Sequence, residues 1–279
     1  MPPLLRLLMG LCALAFIRAA HAAPEAWSAT HPDVVARVAK GGPLVVHVTI
    51  PLCHRDQIDC GSRAAGAPGN LRTNLYWGAI FGAKTIFGRK QSGWTPVPQT
   101  TKVDGVLERA AYRRWVDGER WGREGRVEQL VVLDAIHGDA IDDAVAIFFA
   151  AATTGKRVTL DDHDRQRSLI VSAAGYAGHN RLMDGTTLPE VGQRETGALA
   201  AFVLACRSDS YFSASLRDAG STPMVMTRSL MAPEGYVVEA AARALGDNLP
   251  RAQIRNRTVW AYARWQRIEP RLADRVFAR

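Results

Sequence analysis

Residues 128–154, EQLVVLDAIHGDAIDDAVAIFFAAATT, hold the pattern on which the fold turns. The first nine are an almost unbroken apolar run. A strand with one wet face would alternate, so this run predicts a strand buried on both faces. His137-Gly138 interrupts it. From Asp139 onward the spacing becomes helical. Asp139, Asp142 and Asp143 lie where the positive end of a helix favours them, and Gly155 supplies the stop. A doubly buried strand followed at once by a helix is the repeating unit of a parallel α/β sheet.

The same alternation extends in both directions. Residues 43–50 (PLVVHVTI, ending at Pro51), 167–174 (RSLIVSAA), 198–205 (ALAAFVLA) and 223–227 (PMVMT) read as strands. Residues 210–219, 232–245 and 251–268 read as helices. Residues 74–87 (NLYWGAIFGAKTIF) also have helical spacing, with Gly78 and Gly82 suited to close packing, whereas 106–116 fits a helix or a strand. The expected fold class is α/β, a three-layer sandwich with a mainly parallel sheet, formed as a single domain over residues 23–279. The chain has 279 residues, 47% of them apolar and 22% charged. That composition is globular and excludes collagen-like, coiled-coil, disordered and multi-span membrane classes.

Residues 1–22 have the features of a secretory signal peptide. Arg6 precedes the apolar run 7–17, and Ala20-His21-Ala22 is a small-x-small cleavage site. The longest later apolar stretch, 144–152, is too short to span a bilayer. The expectation is an exported chain, periplasmic or extracellular, with no membrane span after cleavage. Of the four cysteines, Cys12 lies in the leader. Cys53 and Cys60, close together in the loop 51–73, are expected to form a disulfide, which leaves Cys206 unpaired. His54, Asp56 and Asp59 flank that pair, but no second ligand cluster accompanies them, so no metal site is expected. No phosphate-binding loop, dinucleotide fingerprint, G-x-S-x-G elbow or H-E-x-x-H helix occurs, and no cofactor is expected. The net charge of +8 is carried by arginines concentrated at 109–126 and 251–279. Without a nucleic-acid motif these read as solvated basic faces, and nucleic acid is not an expected partner.

Ligands of parallel α/β sheets bind outside the carboxyl ends of the strands. That rule gathers the 53–70 loop, His137, His179, Cys206 and Arg228 at one edge. A cysteine nucleophile needs a neighbouring base. His179, in the turn Gly178-His179-Asn180, ends the strand before that of Cys206. Adjacent strand ends lie ~5 Å apart, so the two side chains can meet. His137 is the alternative base, Asp184 can orient His179, and Arg228 can bind an acidic group of a substrate.

The segments LIVSAAGYAGHN (169–180) and AAFVLACRS (200–208) together resemble the caspase-like cysteine peptidases, which include the gingipain, clostripain and CHAT groups. In those proteins a histidine follows one strand and a cysteine follows the next, often within a sequence such as LAC. DAGSTPMVMTRS (218–229) is similar to their following strand, so the resemblance covers roughly residues 128–245. It implies a thiol hydrolase of the cysteine-peptidase kind that acts on a peptide or protein. Cys206 would be the nucleophile and His179 the base, with amides of Gly178 and Asn180 at the oxyanion. The family has glycine after the histidine where this chain has Asn180, and the literal His-Gly pair here is His137-Gly138. The second reading is an exported binding or accessory protein without chemistry, using the same edge as a ligand cleft. Substrate identity and oligomeric state are not legible.

Overall fold

The computed structural model describes residues 25–162 and 165–279; the leader expected over residues 1–22 lies outside them. Among the described residues nine strands form: β1 (Leu44–Pro51), β2 (Thr95–Val97), β3 (Glu108–Asp117), β4 (Arg126–Ile136), β5 (Arg157–Asp162), β6 (Arg165–Ile170), β7 (Ala173–Ala177), β8 (Ala200–Leu204) and β9 (Thr222–Val225). The α-helices are α1 (Pro32–Ala39), α2 (Ala83–Phe87), α3 (Ile141–Thr154), α4 (Ser208–Asp218), α5 (Gly235–Gly246), α6 (Arg251–Gln266) and α7 (Pro270–Asp274). Seven strands make one sheet in the order β2-β3-β4-β1-β7-β8-β9. The five from β4 to β9 run parallel, and β3 and β2 extend the β4 edge antiparallel. β5 and β6 form a separate hairpin.

The apolar runs are continuous because the sheet is covered twice, as the sequence predicts. Along β8, Ala200, Phe202 and Leu204 enter one core, and Ala201 and Val203 enter the other. The first core packs under α1, α2, α5 and α6. The second packs under α3, α4 and the inner face of β5. The result is the expected α/β three-layer sandwich. Among the described residues no helix is long and apolar enough to cross a membrane.

Two local readings are corrected and a third, left open, is resolved. Residues 74–87 are helical only from Ala83, and the preceding nine residues coil in turns. The buried Asn74 side chain competes with the helix there. Its Oδ1 accepts from the Cys53 and Tyr76 amides, and its Nδ2 donates to Cys53 O and Ala67 O. Gly78 is required in this coil, since a Cβ on it would stand 2.2 Å from Leu71 O. The run 167–174 is not one strand: Arg165–Ile170 pairs with β5 in the partly exposed hairpin, and the buried strand β7 starts at Ala173. Residues 106–116 resolve as strand, because β3 pairs with β4 along ten residues.

Every residue of the central strand β1 is buried, including His47 and Thr49. His47 Nε2 lies 2.7 Å from Asp134 Oδ2 on β4. Arg109 of β3 grips the same carboxylate through Nε and Nη2, both at 2.6 Å. Burial by itself would raise the Asp134 carboxyl. His47 and the two-pronged Arg109 contact outweigh that and hold it well below the usual carboxylate range. Burial, reinforced by nearby Lys156, lowers His47, so its ring is neutral at pH 7.

Both groups therefore titrate below their ordinary values in the folded chain. Their contribution to stability is complete above the unfolded values, about 6.5 for histidine and 3.9 for aspartate, and is lost as pH falls. The melting temperature should be level near neutral pH, drop first below about pH 6.5, and drop again below about pH 4. In His47→Gln the first drop should shrink, with the remainder coming from His31, which burial also lowers. Thermal unfolding by circular dichroism across a pH series checks this. An undiminished first drop in the variant would remove His47 as its cause.

Candidate functional site

The strand order decides which histidine is next to the cysteine. β7 pairs with β8, so the turn holding His179 and the turn holding Cys206 emerge side by side. His137 follows β4, three strands from β8, which is ~14 Å at the usual strand spacing. Its Nδ1 accepts from the Asp139 amide at 3.2 Å, capping the turn that leads into α3. His137 is therefore not placed to serve Cys206.

Asn180 ties the two turns together. Its Nδ2 donates to the Cys206 carbonyl at 2.6 Å and its Oδ1 accepts from the Leu182 amide at 3.2 Å. Asn180 is fully buried. Tyr176 donates its hydroxyl to His179 O at 2.7 Å, fixing the backbone of the histidine. The ring is held from the other side, with Nε2 2.6 Å from Asp184 Oδ2. Asp184 ends a 3-10 turn, Arg181–Asp184, closed by the left-handed Gly185. Partial burial would raise its carboxyl, but His179 and Arg181 overcome that and lower it. Asp184 therefore stays ionised and favours the imidazole orientation in which Nε2 carries hydrogen. His179 Nδ1 has no hydrogen-bond partner among the described residues.

Cys206 sits on the sharp turn from β8 into α4, where Arg207 adopts a left-handed backbone (φ 51°). Ser208 and Thr227 lock that turn. Ser208 Oγ donates to Val203 O at 2.7 Å and accepts from the Thr227 amide at 2.9 Å, while the Thr227 hydroxyl donates to Ala205 O. The thiol is half-buried. It lies 3.6 Å from Met231 O as donor and accepts from the Met231 amide at 3.4 Å. Among the described residues no hydrogen bond joins it to an imidazole. Tyr76 and Tyr262 lie near it. Burial pushes both phenols up, and nearby Glu234 adds to the effect, so both hydroxyls stay protonated.

The two amides expected at an oxyanion differ. Gly178 N already donates to Leu204 O at 3.2 Å. A Cβ at Gly178 would come within 2.6 Å of Pro51 Cγ, so the glycine serves the close approach of β7 to the end of β1. The backbone N–H groups of Asn180 and Cys206 have no partner among the described residues. That makes Asn180 and Cys206 the available pair.

Arg228 does not turn towards the thiol. Its Nε donates to Arg275 O at 3.2 Å, and its side chain lines an open basic depression beside α6 and α7. Cys53 and Cys60 form the expected disulfide. The loop they staple is strapped across the ends of β1 and β4, with the Gly138 amide donating to Pro68 O and Gln57 Nε2 donating to Gly138 O, each at 3.0 Å. Among the described residues no group of three or more His, Cys, Asp or Glu side chains is placed to hold a metal ion.

Asn180 was legible as an oxyanion candidate, but the clamp made by its side chain was not. Asn74 and Tyr76 lie in the cluster Asn74-Leu75-Tyr76-Trp77-Gly78, whose composition is distinctive but favours a packed helix over a ligand platform. Comparison of the chain with protein-family models, with curated proteins and with solved structures gives no match.

Asn180→Ala would leave the Cys206 carbonyl and the Leu182 amide without partners. A loss of about 2–3 kcal/mol is expected, read from urea unfolding monitored by tryptophan fluorescence. A loss within the error of that measurement would show that the two turns are held by something else.

Proposed function

We propose that this protein is an exported thiol hydrolase, in the manner of a caspase-like cysteine peptidase, with Cys206 as nucleophile and His179 as base. The observation that carries the reading is the clamped pair of strand-end turns. A half-buried, unpaired thiol and an Asp184-oriented imidazole stand on neighbouring strands, tied by the Asn180 side chain. The Cys53–Cys60 disulfide supports an oxidising compartment, in keeping with the leader-like sequence of residues 1–22.

When a carbonyl enters, the thiol leaves the Met231 backbone and its proton passes to His179 Nδ1. Sulfur then bonds to the carbonyl carbon. The Asn180 and Cys206 amides receive the negative oxygen. The imidazolium returns its proton to the leaving group as the scissile bond breaks. Water, deprotonated by the same nitrogen, cleaves the thioester and restores the thiol. Asp184 keeps Nε2 protonated and stabilises the cationic ring throughout.

The sulfur contact with Met231 favours a second reading, in which Cys206 is a structural thiol and the edge is a binding cleft without chemistry. Iodoacetamide labelling of the folded, unreduced protein, mapped by peptide mass spectrometry, separates the two. The hydrolase reading expects Cys206 to label in the native state, more slowly in His179→Ala at neutral pH. Labelling only after denaturation supports the binding reading. Once a substrate is found by screening fluorogenic peptides and esters, Cys206→Ala should cost at least ~10³-fold in kcat with an unchanged circular dichroism spectrum. Asp184→Asn should lower kcat with little effect on KM. Full activity in Cys206→Ala would end the proposal.

A further inference from the structure

On the outer face of α5 and α6, remote in sequence from the strand-end turns, small residues open a trough. Ala240 and Ala244 of α5 and Ala261 of α6 line it, and the long side chains stand at its rims. The groove has a volume of about 670 Å³. Along α6, Arg257, Trp260, Ala261, Arg264 and Trp265 recur at the spacing of one helical face. Trp260 is 62% exposed and Trp265 36% exposed. Trp265 stacks on Tyr236 at 5.9 Å yet keeps part of its ring open, and together with Trp260 it forms an exposed aromatic patch of the kind that marks binding surfaces.

The charges of the groove are unequally partnered. On the α5 wall, Glu239 pairs with Arg243 at 2.5 Å, and Asp247 pairs with Arg114 at 2.8 Å. Arg89 and Arg264 instead lie against the Trp265 ring, 5.2 and 5.8 Å from its centre. Neither makes an ion pair among the described residues, and Arg257 makes neither an ion pair nor a hydrogen bond there. Three cations without carboxylates therefore surround two accessible indoles.

We propose that this groove binds an acidic polypeptide segment that carries an aliphatic or aromatic anchor. Carboxylates of the segment meet Arg89, Arg257 and Arg264, and the anchor settles between the tryptophans over the alanine floor. The mixed walls favour polypeptide over nucleic acid, because Glu239 and Asp247 would face any uniformly charged phosphate backbone that filled the groove. The chain's own residues 1–24 do not fit the role, since they contain Arg6 and Arg18 and no acidic residue. The proposal is independent of any chemistry at Cys206.

Fluorescence anisotropy of a fluorescein-labelled oligopeptide of repeated Glu-Glu-Leu tests it on the full folded chain. The expected result is saturable binding that weakens with salt and is equal in wild type and Cys206→Ala. Affinity should fall at least about tenfold in Arg257→Glu/Arg264→Glu and stay unchanged in Arg271→Glu, which reverses an exposed charge outside the groove. A repeated Lys-Lys-Leu peptide should not bind. Both substituted positions in the double variant are exposed, and circular dichroism confirms that it folds. The proposal is overturned if the acidic peptide does not bind, or binds the double variant equally well. It is also overturned if oligothymidylate binds through these arginines while the peptide does not. Self-association through this face, seen by sedimentation and not competed by the peptide, would overturn it in favour of a second copy of the chain.

Discussion

The architecture depends on the burial of β1 between β4 and β7, with both faces covered. A parallel strand in that position makes a charged or polar side chain costly unless it is answered; the Thr49 hydroxyl of β1 has no hydrogen-bond partner among the described residues. β1 carries His47 all the same, and the answer comes from two other strands: Asp134 of β4 accepts from the ring and Arg109 of β3 neutralises Asp134. A buried ion pair of this kind is a poor source of net stability against an apolar alternative. It is better regarded as a register device. Only one alignment of β3, β4 and β1 brings the three groups together, and a slip by one residue would strand a charge in the core.

That alignment has consequences at the far end of the sheet. With β1 central and β7 beside it, Pro51 sits against Gly178, and the β7 and β8 turns open next to one another. The site is then held by polar clamps rather than by apolar packing. Asn180 spans the two turns, Ser208 and Thr227 lock the β8–α4 corner, and Asn74 fixes the stapled loop at Cys53. Each is a buried polar side chain whose partners are backbone groups, so each holds a backbone conformation as well as a side-chain position. Preorganised turns of this kind suit either chemistry or tight binding. The orientation of His179 by Asp184, and the amides of Asn180 and Cys206, unpaired among the described residues, are the features on which the proposed chemistry rests.

The sheet and most helices were legible because burial on both faces writes itself into local composition as unbroken apolar runs. Reading failed where two causes produce the same letters. LIVSAA looks like one strand, but its first half belongs to a hairpin and its second to the sheet. NLYWGAIFG has helical spacing, yet a single asparagine makes four backbone hydrogen bonds that no propensity scale anticipates. At the site, Cys206 and His179 were picked out by their position at strand ends, and the Cys53–Cys60 pairing by short spacing in a small loop. Asn180 was picked out for its backbone amide and as a departure from glycine, but the clamp made by its side chain was invisible.

By itself, then, the sequence determined the α/β class, the alternation of buried strands with helices, the disulfide and the shortlist of strand-end residues. All of these follow from short-range patterns, and short-range patterns survive in one dimension. The tertiary structure alone decided that His179 and not His137 neighbours Cys206, that the Gly178 amide is already spent, that Arg228 faces away, and that α5 and α6 leave an arginine-rimmed trough. Those outcomes depend on strand order and helix packing. These are set by the summed burial of the whole chain, and no local stretch of residues encodes that sum.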